Sequence, residues 1–498
     1  MRTAWMKFLK KMSKLDRIAS LAKKGKAFHQ QNNFVEAQEI YEEILLIQPG
    51  HFDTLSLLGS LFAQIKKYSE AIKYLSKALE INPDDARTQC NQGIVLKELK
   101  RFDEALVSYD QAIAIEPKFA QAYYNCGIVL QGLKRFDKAL IVYNQAIAIK
   151  PDYIDAYNNL GNALQEIKRF DKALYNYNHV ITLKPDYADA HLNKAILLIR
   201  MGDYIEGWQL YEWRWKQKKN VNLLRPYKQA LWLGNESLTN KTLLIYIEQG
   251  FGDYIQFVRY AFLAESLGAK VVLEVPLALM TVFASLKGSF ILVESGKLLP
   301  NFDYHCPVMS LPFAFKTMVK TIPAQSPYLY ADKDKKQKWN KKLDKKAVIR
   351  IGLIWTGNPN HSNDHNRSLL LEQFSSLLSL PFEFHSLQKN IREIDAQTII
   401  KFSHIHQYQD ELHDFSDTAA LIDAMDVIIS VDTSVAHLAG AMGKKVWLLL
   451  PYLPDFRWML DRDDSPWYPS LKLYRQKIIN SWDDVLENLK NDLLRLIG

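Results

Sequence analysis

GIVLKELKRFDEALVSYDQAIAIEP (93–117) and GIVLQGLKRFDKALIVYNQAIAIKP (127–151) are nearly one stretch repeated, offset by 34 residues. The same offset runs through the first half of the chain. Gly25, Gly59, Gly93, Gly127, Gly161 and Ala195 share it, as do Ala37, Ala71, Ala105, Ala139, Ala173 and Gly207. Tyr41, Leu75, Tyr109, Tyr143, Tyr177 and Tyr211 follow, and Pro49, Pro83, Pro117, Pro151 and Pro185 close successive units. A period of this length marks stacked helical hairpins. Small residues are needed where two helices cross closely, the aromatic fills the gap to the next unit, and proline stops the second helix because it has no N–H to donate. The period predicts six repeats over residues 18–221.

These repeats resemble the tetratricopeptide superfamily. Asn91, Asn125, Asn159 and Asn193 stand two residues before the packing Gly or Ala, about 200° away from it on the first helix. In protein O-linked N-acetylglucosamine transferases a similar asparagine ladder holds the backbone of an extended polypeptide. The resemblance therefore implies a groove for a partner or acceptor protein, since an amide both donates and accepts. The alternative is that these asparagines follow the repeat consensus and cap or solvate the helix. Leu57 and Lys23 break the ladder at its amino end. The sixth repeat ends abnormally in GWQLYEWRW (207–215), where Arg214 replaces a small residue. A terminal repeat must cover an apolar face, so Trp213 and Trp215 are expected to anchor the next domain.

Bulk composition fits a globular, multidomain chain: 498 residues, 48% apolar and 24% charged. The net charge of +8 is concentrated, with +7 in residues 1–24 and +5 in residues 331–346, so removing both leaves −4. No arginine stripe with stacking aromatics runs through either segment, which argues against a nucleic-acid groove. Cys90, Cys126 and Cys306 are widely spaced and read as reduced thiols. Lysines interrupt the start of the chain, so it does not read as a signal peptide. Trp5, Phe8, Leu9, Met12 and Leu15 fall on one helical face, predicting a basic amphipathic leading helix over 1–17. It packs on the first repeat or, alternatively, lies on a membrane surface. No stretch is long and apolar enough to span a bilayer. The expected location is cytoplasmic, with the inner face of the membrane as the peripheral alternative.

From Lys241 the pattern becomes strand, glycine turn, helix, strand. TLLIYI (242–247), EQGFGD, a helix at DYIQFVRYAFLAESLG and KVVLEV (270–275) describe one parallel α/β lobe, over 222–330. The lysine-rich stretch 331–346 reads as an exposed linker. A second lobe, 347–498, begins with VIRIGLIW (348–355). It continues with a helix at LEQFSSLLS and strands at FEFHSL and SHIHQY. Then come a helix at DTAALIDAM, a strand at DVIISV, a helix at SVAHLAGAMG, a strand at KKVWLLL and a closing amphipathic helix. The fold class expected is an α-solenoid followed by an α/β GT-B-like domain of two Rossmann-like lobes.

Four segments carry a second resemblance: EQGFGDYIQFVRY (248–260), IGLIWTGNPNHSNDHNRS (351–368), SVDTSVAHLAGAMGKKVWLLLP (430–451) and DSPWYPS (464–470). Over about residues 240–480 the chain resembles glycosyltransferase family nine, the heptosyltransferase-like enzymes, and is similar to bacterial proteins that fuse tetratricopeptide repeats to such a domain. Read physically, DVIISV delivers Asp432, Thr433 and Ser434 to a strand's carboxyl end, where the free N–H groups of a helix attract phosphate. His437 follows on the first turn. The resemblance implies that these residues bind the diphosphate and sugar of a nucleotide-diphospho-sugar, with Gly252, Trp355, Gly357, Arg367 and Gln388 on the donor side. Arg367 would neutralise the leaving phosphates, and Gln388 would touch base or ribose. Asp432 should face a sugar hydroxyl or a backbone N–H rather than phosphate, because like charges repel.

Asp253, at the start of a helix after Gly250 and Gly252, reads as a helix cap or as a general base that accepts the acceptor hydroxyl's proton. No metal-ligand pattern stands out. The reading is a metal-independent inverting glycosyltransferase without a resident cofactor, its repeats recruiting an acceptor or partner. Its rival is a non-catalytic repeat scaffold with a degenerate transferase-like binding domain.

Overall fold

The computed structural model describes residues 2–218, 220, 224–343, 348–361 and 363–497, with side chains from Lys14 onward. It comprises two compact units, Met1–Ala190 and His191–Gly498.

The first unit is a stack of antiparallel helical hairpins. Its helices are Arg2–Gln30, Phe34–Ile47, Phe52–Gln64, Tyr68–Ile81, Ala86–Glu98, Phe102–Ile115, Ala120–Gly132, Phe136–Ile149, Ile154–Glu166 and Phe170–Leu183. The expected leading helix is not separate, because Arg2–Gln30 runs unbroken into the first repeat. Trp5, Phe8, Leu9 and Met12 lie outside the described side chains.

The repeating aromatic has a second role, inside its own hairpin. Tyr41, Leu75, Tyr109, Tyr143 and Tyr177 pack on the small residue of their own hairpin, 16 positions earlier, and Tyr143 also reaches Asn159 of the following one. A Cβ on Gly93 would lie 2.6 Å from the ring of Tyr109, and one on Gly127 2.4 Å from that of Tyr143. Hydrogen bonds also join successive repeats, such as Tyr153 Oη to Gln121 Oε1 at 2.8 Å and Tyr187 Oη to Asp155 Oδ1 at 2.7 Å. The hairpin turns use a left-handed residue at the repeat period: Asn32, Lys66, Lys100, Lys134 and Lys168, with φ between 57° and 61°.

The second unit begins inside the sixth repeat. Ala195, Ile199, Tyr204, Trp208 and Tyr211 join the hydrophobic core of the α/β region. Trp213 and Trp215 are not the anchors; both remain partly exposed. Trp208 packs edge-on against Phe257 and Phe456. Arg214 is buried, paired with Glu248 at 3.0 Å and Glu212 at 2.6 Å, and donates to Ser310 Oγ at 2.7 Å.

Two five-stranded parallel sheets follow. The first contains β1 (Ala230–Leu231), β2 (Thr242–Tyr246), β3 (Lys270–Val275), β4 (Ile291–Glu294) and β5 (Tyr304–Pro307), in the order β1-β5-β2-β3-β4. The second contains β6 (Arg350–Ile354), β7 (Glu383–Ser386), β8 (Val427–Val431), β9 (Val446–Leu450) and β10 (Leu471–Arg475), ordered β10-β9-β8-β6-β7. The continuous burial of β6, β8 and β9 is what a parallel sheet covered on both faces requires.

Three local expectations are corrected or refined. The helix expected at 253–268 is two helices, Phe251–Phe257 and Tyr260–Ser266. At the break the buried Arg259 donates to the carbonyls of Gln256 and Trp467, at 2.8 and 2.6 Å. The stretch 331–346 contains a helix, Lys333–Lys342, which is mostly exposed as expected but ordered. Trp339 anchors it edge-on to Tyr408, and Lys335 and Lys336 pair with Asp417 and Asp423 at 2.7 and 2.6 Å. SHIHQY forms no strand, only an isolated bridge between His385 and His406.

Candidate functional site

The carboxyl ends of β2, β6, β8 and β9 converge on a cavity of about 550 Å³. Ligands collect at this end of parallel sheets because helix N-termini and loops meet there. After β2, Gly250 opens the helix Phe251–Phe257, and Asp253 Oδ2 accepts the Gly250 N–H at 2.9 Å. Asp253 thus sits at the third helical position and closes the first turn. Gly252 is needed for close approach, since a Cβ there would meet His437 Cδ2 at 3.0 Å and Ser434 Cα at 3.5 Å.

From the second sheet, β8 ends in Asp432 and Thr433, and the helix Ser434–Ala441 begins. Its capping residue Thr433 makes no side-chain bond to the helix N–H groups, so they are available to an anion. His437 stacks on Trp458, contacts Tyr468 Oη through Nδ1 at 3.1 Å and holds Nε2 3.8 Å from Asp432 Oδ1. Arg367 is held by the Asp432 carbonyl, to which Nη1 donates at 2.7 Å. Its buried Nε makes no hydrogen bond and lies 3.8 Å from Asp364.

The cavity also contains two charged residues that sequence reasoning missed, Asp455 and Arg457. Arg457 pairs with Asp253 through Nη2 and with Asp455 through Nη1, the latter at 2.6 Å. Both follow β9, and polar residues just beyond a parallel strand were the signal available in PYLPDFRW (451–458). Asn358, His361 and Asn363, from the loop before Arg367, complete one wall.

Burial sets the electrostatics. It raises the Asp253 carboxyl against the opposing charge of Arg457, with Asp455 adding to the rise. Asp432 is raised by burial and by Asp455. Asp455 is buried too, but Arg457's charge and hydrogen bonds outweigh that and hold it below the usual range. His437 is pushed down to about 3, first by burial and then by Arg457, so its imidazole is neutral. The site offers fixed cationic donors, a carboxylate of increased basicity and free N–H groups around one space.

Gly252, Asp253, Arg367, Asp432, Thr433, Ser434 and His437 are thus brought together. Trp355, Gly357 and Gln388 do not line that cavity. Trp355 is core, its Nε1 donating to Asp395 at 2.9 Å. Gly357 leaves room for Arg367, since a Cβ would stand 2.7 Å from Nη2. Gln388 is buried, accepting from Thr356 N at 3.1 Å and donating to Thr356 Oγ1 and the Asn390 carbonyl.

In the repeats, Asn91, Asn125 and Asn159 donate to Ser60 Oγ, Cys90 Sγ and Tyr124 Oη of the preceding hairpin, at 3.0, 3.6 and 3.2 Å. Asn193 falls in the second unit and is partly buried there. Among the described residues, no helix is long and apolar enough to cross a membrane.

Residues 28–89 and 154–187 match the family described as Tetratricopeptide repeat, and 93–134 and 133–168 the one described as TPR repeat. The chain therefore carries tetratricopeptide repeats, the mark of a protein-interaction scaffold. It is 22% identical over 317 residues to Protein FlbA of Caulobacter vibrioides, covering 59% of this chain and 53% of that one. The chain thus spans about half the length of that curated relative. Among solved structures, a MamA crystal structure is 26% identical, covering 33% of this chain and 96% of that one, with a TM-score of 0.31. Pseudomonas aeruginosa pilF is 20% identical, covering 43% and 95%, at 0.37. YrrB, titled a TPR protein with an unusual peptide-binding site, is 22% identical, covering 33% and 86%, at 0.30.

Proposed function

We propose that residues 222–498 form a GT-B-like glycosyltransferase that takes a nucleotide-diphospho-sugar without a metal ion, while the repeats recruit a protein partner or acceptor. The observation that carries this is the meeting of Asp253 with Arg367, Ser434 and His437 around one cavity. The diphosphate sits between Arg367 and the free N–H groups at Ser434, where fixed positive charge and helix dipole favour it. Asp253 takes the proton of an acceptor hydroxyl as its oxygen bonds to the anomeric carbon from the opposite face. The bond from that carbon to phosphate breaks, and the nucleoside diphosphate leaves with its charge held by Arg367. Asn91, Asn159 and Asn193 contribute their remaining amide capacity to partner capture, whereas Asn125 is buried, donating to Cys90 and accepting from Gln121.

One observation favours a binding-only reading: Arg457 and the Gly250 N–H already occupy both oxygens of Asp253. Purified chain incubated with a panel of nucleotide sugars separates the two. Release of nucleoside diphosphate, retained in chelator and lost in Asp253→Asn, supports the transferase. Saturable nucleotide binding with no release across the panel overturns it in favour of the scaffold.

A further inference from the structure

Away from the cavity, edge strand β7 and the segment after it bring Glu383, His385 and His406 together. Glu383 and His385 are two residues apart on one strand and so share a face. The isolated parallel bridge sets His406 beside His385, with the rings stacked at 4.8 Å and 19°. Glu383 Oε1 is 3.1 Å from His385 Nε2 and 3.7 Å from His406 Nε2, and the three donor atoms all lie within 4.8 Å of one another.

His385 is fully buried, yet its Nε2 makes no hydrogen bond. Glu383 Oε1, 3.1 Å away, is the charged neighbour of that nitrogen. The other ring nitrogen, Nδ1, is 2.9 Å from Tyr408 Oη. With Nδ1–H donating to Tyr408, Nε2 carries a lone pair. Arg350 Nε donates to Glu383 Oε2 at 3.1 Å and so holds the other oxygen toward the rings. The His406 side chain is 49% exposed, leaving a path to solvent.

We propose that Glu383, His385 and His406 form a binding site for a divalent transition-metal ion of the zinc type, with an open position toward solvent. Tetrahedral bonds of about 2.0–2.2 Å place donors roughly 3.3–3.6 Å apart, between the two separations from Glu383 to the imidazoles, 3.1 and 3.7 Å. Two imidazoles and one carboxylate suit zinc, nickel or copper, whereas calcium and magnesium require more oxygens. Tyr408 and Arg350 orient the ligands from behind, as outer partners of metal-bound histidines do. None of the three lines the cavity of the proposed transferase, so this site stands or falls separately.

Titration of the full chain with Zn(II) by calorimetry, and with Co(II) by visible absorption, tests it. One equivalent should bind, weakened roughly tenfold or more by His406→Ala and by Glu383→Gln. His413→Ala, at another exposed histidine, should leave it unchanged. His406 is exposed, so folding of its variant is expected and is verified by circular dichroism. Absence of saturable binding in the wild type, or equal affinity in folded wild type and His406→Ala, overturns the site.

Discussion

Arg457 Nη2 pairs with Asp253 Oδ1, tying the first turn after β2 to the segment that follows β9. The pair joins the two lobes across the cavity and gives the carboxylate a charged partner as well as its place in the helix turn. A substitution at Asp253 therefore has a structural cost as well as a chemical one.

Asp253→Asn keeps the shape and can still accept from Gly250, but it cannot take a proton. Transfer should fall by ~10²–10⁴, the usual contribution of a positioned general base. Arg457 retains Asp455, so stability should fall only by about 1–3 kcal/mol, the cost of weakening a buried polar partner. Turnover assays with chemical denaturation check both; a wild-type rate leaves Asp253 a purely structural residue.

Arg457→Gln removes the cation that favours ionised Asp253. The folded carboxyl, already raised by burial, should then titrate higher. The acid limb of the pH–rate profile should shift to higher pH in the variant; an unmoved limb dissociates Asp253 from that limb.

Arg367→Ala should weaken binding of a nucleoside diphosphate by about 1.5–3 kcal/mol, the range for hydrogen bonds to charged groups. Calorimetry reads this directly, and equal affinities would place the phosphates elsewhere.

His437 supplies a stability test with a defined sign. Its folded pKa is about 3, against an ordinary value of 6.5. Between those values the unfolded chain takes up a proton there that the folded chain refuses, so stability falls as pH drops from 6.5 toward 3. Above 6.5 the group contributes no pH dependence. The stability difference between wild type and His437→Gln should shrink between neutral pH and pH 4, as followed by urea melts; a constant difference refutes the assignment.

In the repeats, Gly127→Ala should destabilise by about 1–3 kcal/mol, the cost of overpacking, because its Cβ would lie 2.4 Å from Tyr143. Gly132→Ala meets nothing within 4 Å and should stabilise by about 0.5–1 kcal/mol through helix propensity. Thermal melts of both variants check the contrast.

By itself the sequence determined the local elements: repeated hairpins from a 34-residue period, parallel strands from short apolar runs, and polar residues at strand ends. These follow from short-range periodicity and turn chemistry, which are written along the chain. Asp253, Asp432, Thr433, Ser434 and His437 were singled out because they stand where a strand gives way to a turn or helix, whereas Arg367, well beyond the end of β6, was pointed to only by the family resemblance. The tertiary structure alone decided what depends on distant partners. It seated Tyr143 on Gly127, turned Lys333–Lys342 into a helix by supplying acids and a pocket for Trp339, and made Gln388 a bracket for Thr356. It also brought Arg457 to Asp253, 204 positions away. Charge pairing and close packing act through space, and the chain's order carries no record of which residues that space will join.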